Sequence, residues 1–182
     1  MDIVFNYIAE KNNIDVENDL KIRRGKVREL SQLMSNDMVE TAVLREPLLS
    51  QVIINNEKTE VVVDLQKEWK KESTMELPQS SLVVNGKFIN EKNQELIKEF
   101  NEEYKKAIDW VNNNPKEAAL LTEKHMGTKK EISELANPRM NLAFKNASEA
   151  KEEITNYFEI LSRENPKAIG GEMPDEDFYY QY

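Results

Sequence analysis

The sequence predicts an α/β fold that gives way to a mainly helical C-terminal region. Three features carry that expectation. Short apolar or β-branched runs recur at 19–22, 41–44, 60–63 and 82–84, a composition that suits strands. Stretches of helical spacing separate the early runs, and the order helix, strand, helix, strand, helix suggests crossover connections to a parallel or mixed sheet. After Asn90 a long amphipathic pattern opens a region of helices. The change of character near residue 78 divides the chain into 1–78 and 79–182.

Taken in order, Asp2 to Lys11 reads as a helix with Ile3, Val4, Tyr7 and Ile8 on one side. Asn12-Asn13-Ile14-Asp15 ends it, and Asp19-Leu20-Lys21-Ile22 is the first strand candidate. Arg28 to Met34 is a second helix with Val27, Leu30 and Met34 inward, broken by Asn36-Asp37 before the run Thr41 to Leu44. Pro47 can stand in the first turn of a helix, where its missing N–H costs nothing, and Leu48, Leu49, Val52 and Ile53 then recur at helical spacing. Between Leu65 and Glu76, Trp69 is a single anchoring aromatic among lysines and glutamates. Leu82-Val83-Val84 ends at the turn signal Asn85-Gly86. Gln94 to Val111 carries Leu96, Ile97, Phe100, Tyr104, Ala107, Ile108 and Val111 on one helix face. Asn114-Pro115 with Glu117 marks a helix start running through Leu121. Thr128 with Glu131 has capping-box spacing, and Ala150, Ile154, Tyr157, Phe158 and Leu161 mark the last helix. The tail from Ala168 has no periodicity.

Composition narrows the chemistry. A net charge of −9, with no basic cluster beyond Lys21-Ile22-Arg23-Arg24, argues against nucleic acid as a partner. The chain has no cysteine and one histidine, His125. Thiol nucleophiles, disulfides and cysteine metal sites are excluded, and a zinc site or a Ser-His-Asp triad would rest on that single imidazole. With 34 acidic residues, carboxylate pairs such as Glu40 with Glu46 arise by chance. Gly170-Gly171 lacks the spacing and the lysine of a phosphate loop. No catalytic residue, metal site or cofactor is expected. There is no signal-peptide pattern and no run of 18 apolar residues. Because a helical pattern begins at once after Met1, the chain reads as part of something longer.

The polar tip Arg45-Glu46-Pro47, between a predicted strand and a predicted helix, is the first place to look for a ligand. Arg45 offers a guanidinium suited to a planar anion. Gln79, Ser80, Ser81 and Asn85 are short polar side chains at the ends of presumed strands. This is the chemistry of holding a ligand.

Several segments resemble the later part of periplasmic-type substrate-binding proteins of ABC importers, in the nitrate/sulfonate/taurine and thiamine-precursor-like (NMT1/THI5-like) group. Asp2-Ile3-Val4 to Asn13-Ile14-Asp15, with Glu17 to Ile22, is similar to the helix, turn and strand that open the family's second lobe. The stretch from Asp37 through Thr41-Ala42-Val43-Leu44-Arg45-Glu46-Pro47 resembles its short strand followed by Glu-Pro. Leu82-Val83-Val84, Phe88-Ile89, the long helix to Trp110 and Asn114-Pro115-Lys116-Glu117-Ala118-Ala119 resemble its return strand and helix pair. Ile169 to Tyr179 resembles its closing segment. Glu40 stands where an aspartate is usual, and Ser35-Asn36-Asp37 replaces an Ala-Gly turn.

The resemblance implies a partial type II periplasmic-binding-protein-like fold. Residues 1–78 would be a three-layer α/β second lobe. Residues 79–182 would be a return strand and helical region that normally belongs to lobe one, whose N-terminal part is lacking. It implies a non-enzymatic role, with a small solute held between two lobes and presented to an ABC permease. Ligand contacts would be Arg45, Glu46, Gln79 and Ser80, with Pro78 as hinge. An anionic solute would favour Arg45, and a cationic or pyrimidine-like one Glu46, which can instead cap its own helix. The family's setting is extracytoplasmic, periplasmic or lipoprotein-anchored. The alternatives are a sensor or a thiamine-precursor-synthase-like protein on the same fold, or a non-binding chain that forms a homodimer.

Overall fold

The computed structural model describes residues 2–180. Its regular structure consists of α1 (Asp2–Lys11), α2 (Val27–Ser35), α3 (Leu48–Asn55), α4 (Leu65–Ser73), α5 (Gln94–Asn113), α6 (Pro115–Met126), α7 (Lys130–Ala136) and α8 (Ala147–Glu164). Short 3₁₀ turns lie at Gly86–Phe88, Asn137–Arg139, Pro166–Ile169 and Glu176–Phe178.

The expected three-layer α/β lobe is therefore overturned, because no strand occurs among the described residues. β propensity supplies a tendency, whereas a strand exists only through hydrogen bonds to a neighbouring strand. Among the described residues no backbone hydrogen bond engages 41–44, 61–63 or 82–84. Asp19, at the start of the first strand candidate, instead closes a turn by donating its N–H to the Asp15 carbonyl at 2.7 Å.

The helices fare differently, since their hydrogen bonds are internal to each segment. α5 covers the predicted amphipathic stretch, and Pro115 opens α6 as expected. The capping box lies elsewhere than predicted. Asn146 accepts from the Glu149 N–H at 2.9 Å, and Glu149 accepts from the Asn146 N–H at 3.1 Å, closing the N-terminus of α8. α7 begins at Lys130 with no side-chain cap.

The chain divides into two compact units, each assembled from separate stretches. One runs to Arg23, then from Val62 to Glu95, then from Lys145 onward. The other comprises Arg24–Val61 and Leu96–Phe144.

In the first unit α1, α4 and α8 meet around Trp69, which is fully buried with Val4, Ile8 and Ile160. The Tyr7 ring lies 5.2 Å from the indole and the Tyr157 ring meets it edge-on at 5.7 Å. Burial also raises the Tyr157 hydroxyl above its ordinary pKa. α4 is otherwise rich in lysine and glutamate, so this one side chain ties it to the core. In the second unit α3, α6 and α7 pack through small side chains. Ser50, Val52, Ala118, Ala119, Ser133 and Ala136 are all buried.

The indole N–H of Trp69 has no hydrogen-bond partner, so its contribution is packing alone. Trp69→Ala is expected to cost about 3–5 kcal/mol, and Trp69→Phe, which removes volume but no hydrogen bond, about 1–2 kcal/mol. Urea denaturation of the two variants checks the difference.

Candidate functional site

The tip between residues 41–44 and α3 is built around Glu46. Its Oε2 accepts the Ser50 N–H at 3.0 Å, and the Arg45 carbonyl accepts the Leu49 N–H at 3.1 Å. The first turn of α3 exposes backbone donors that need acceptors, and a carboxylate there also meets the positive end of the helix dipole. Glu46 serves both needs, so it caps its own helix.

Its other oxygen is less well provided for. Oε1 is buried without a hydrogen bond and lies 3.8 Å from an Arg139 guanidinium nitrogen. The Glu46 side chain is 10% exposed and that of Arg139 38%. A buried carboxylate needs a countercharge, and the 3₁₀ turn after α7 supplies it. Ser50, fully buried one turn into α3, also has an unpaired hydroxyl. Arg139 is the residue that sequence reasoning missed. It stands far from Glu46 along the chain, and no local motif pairs them.

Arg45 is exposed, and no ion pair with it occurs among the described residues. Of the other predicted site residues, Pro78, Gln79 and Ser80 belong to the other unit. Leu77 packs against the Trp69 core and so fixes where this segment leaves the first unit. Gln79 donates weakly to the Gln66 side chain at 3.4 Å. Gln79 and Ser80 are exposed. Asn85 caps the turn at Gly86–Phe88 by accepting the Lys87 N–H at 3.0 Å.

A surface hollow of about 490 Å³ lies in the first unit, lined by Asn6, Glu10, Asn13, Asp15 and Glu164 with Ile14 and Val16. None of the predicted site residues reaches it. The Asp15 carboxylate accepts from the Asn18 amide at 2.6 Å and from the Glu17 and Asn18 N–H groups. These bonds, the Asn18 side chain first, hold its pKa below the ordinary value. No group of three or more metal-binding side chains occurs among the described residues, and His125 is exposed near the end of α6.

Two variants test the Glu46 arrangement. Arg139→Ala leaves a buried carboxylate without its countercharge and is expected to cost about 1–3 kcal/mol. Adding Glu46→Gln removes the charge itself, so the double variant is expected to lose less than the two single losses combined. Chemical denaturation of all three proteins reads this. At Asp15 the depressed pKa means that the turn 15–19 is intact above the ordinary carboxylate range. It is expected to open as pH falls through the lowered folded value, visible as loss of amide protection at Glu17 and Asn18 in an NMR titration.

A family model described as NMT1/THI5 like matches residues 1–118, a span that holds every predicted site residue but not Arg139. A crystal structure described as an ABC transporter from Parabacteroides distasonis follows 99% of this chain with a TM-score of 0.86 and 22% identity. At that identity the likeness is one of fold. The chain spans 62% of that protein's chain. No curated protein matches.

Proposed function

The chain belongs to the NMT1/THI5-like family, and from that premise we propose that it is a solute-binding component of an ABC importer, acting by capture without catalysis. The fold likeness to a protein described as an ABC transporter supports the transport setting. In this reading an extracytoplasmic chain takes a small solute between two lobes and presents it to a permease. Arg45, Glu46, Gln79 and Ser80 belong to the ligand-binding region, and Pro78 is the hinge.

One observation favours an anionic solute. Glu46, the group that would hold a cation, is nine-tenths buried, caps α3 and faces Arg139. A ligand amine would have to displace those contacts. Arg45 is exposed and has no such commitment, and a guanidinium recognises a planar anion through paired N–H donors. Glu46 then supports the tip that carries Arg45. Gln79 and Ser80 supply neutral hydrogen bonds.

The test is binding of nitrate, taurine and an aminopyrimidine, followed by calorimetry and by the shift of the thermal transition. Nitrate or taurine is expected to bind saturably. Arg45→Ala is expected to weaken it about 10-fold or more and Ser80→Ala about 3- to 10-fold, from the usual worth of charged and neutral hydrogen bonds. Binding of the aminopyrimidine alone, or anion binding indifferent to Arg45→Ala, would show the reading to be wrong.

A further inference from the structure

Val61, Val62 and Val63 are consecutive and 47%, 80% and 55% exposed; Leu82 and Val83 are 55% and 79% exposed. Neither run has a backbone hydrogen bond among the described residues. An isolated exposed valine needs no explanation. Consecutive ones do, because successive side chains of an extended segment point to opposite faces. An apolar run of this kind suits a position covered on both faces and paired at its edges. Here the faces are open, and the backbone donors and acceptors face no protein group.

We propose that these two runs are docking edges for a further polypeptide, equivalent to the part of the Parabacteroides chain that lies outside the match. It would pair with residues 61–63 and 82–84 by strand addition and cover their valines. More than a third of that chain has no counterpart here, while the shared fold extends over 99% of the present residues. The solved protein therefore holds these positions in the company of additional chain. A second copy of the present chain is a poorer occupant. Edge-to-edge pairing of two identical runs would add one backbone neighbour to each and leave both valine faces open. Main-chain hydrogen bonds would give such docking its strength and the alternating apolar side chains its register. The sheet would exist only in the assembled form, consistent with the absence of strand in this chain among its described residues. The proposal rests on the binding-component reading only for the identity of the occupant.

Hydrogen exchange followed by mass spectrometry tests it. In the 182-residue chain, peptides covering 60–64 and 81–85 are expected to exchange at nearly unprotected rates, unchanged when protein concentration is raised 100-fold. Val62→Lys with Val83→Lys is expected to leave the thermal transition of this chain within about 1 °C. When the unmatched portion of the Parabacteroides chain is joined covalently to residues 1–182, exchange at both runs is expected to slow 10-fold or more. The two lysine substitutions should abolish that slowing while α8 amides keep their rates. Slow exchange in the chain alone, a clear loss of its stability on lysine substitution, slowing with concentration, or exchange that stays fast in the joined chain each overturns the proposal. No solute enters these measurements, so their failure is distinct from a failure of solute binding.

Discussion

Helices of 7 to 20 residues, the range seen here, are marginal in water and persist when a face is buried. In the first unit that requirement converges on Trp69. α4 carries three lysines and two glutamates between Leu65 and Ser73, so propensity and surface pairs alone would hold it weakly. The indole gives it an anchor between Tyr7 of α1 and Tyr157 of α8. These partners stand about 60 residues before it and nearly 90 after it, so one side chain joins three distant parts of the sequence. The second unit solves the same problem by another route. Serines and alanines on α3, α6 and α7 let the helices approach closely, and little large apolar volume is enclosed.

That difference governs how each unit answers to change. A close-packed contact of small residues has no room for a larger side chain, since overpacking strains rotamers and backbone. Ala119 and Ala136, 1% and 0% exposed, are the positions where added volume has least space. The aromatic core around Trp69 is instead sensitive to lost volume. The same total burial is thus reached through opposite sensitivities.

The sequence was legible where structure is local. α5 follows from the recurrence of Ile97, Phe100 and Tyr104 at helical spacing, and the start of α6 from Asn114-Pro115. Even there local rules competed. Thr128 and Glu131 have the spacing of a capping box, yet Asn146 and Glu149 form the one observed at α8. What failed was relational. Valine-rich composition at 61–63 states a preference, but strand pairing depends on a neighbour that no property of those residues supplies. Arg139 was illegible for the same reason. Its value lies in facing Glu46, and only the packing of α7 against α3 brings the turn that carries it to that carboxylate.

The Glu46 tip shows how a structural duty narrows a functional one. In sequence, Arg45 and Glu46 are adjacent groups of opposite charge, and either could meet a ligand. Folding separates their roles by burial. The glutamate turns inward, where the Ser50 N–H and Arg139 hold it, and exchanging those partners for a ligand would require desolvated groups to be left unpaired. The arginine remains in solvent, where binding an anion disrupts no internal contact. Charge selectivity at such a tip would therefore follow from which of two neighbouring residues the helix N-terminus has already claimed. The acidic surface of the whole chain does not oppose this, because a guanidinium beside a neutralised carboxylate sets the field at short range and distant charges are screened by salt.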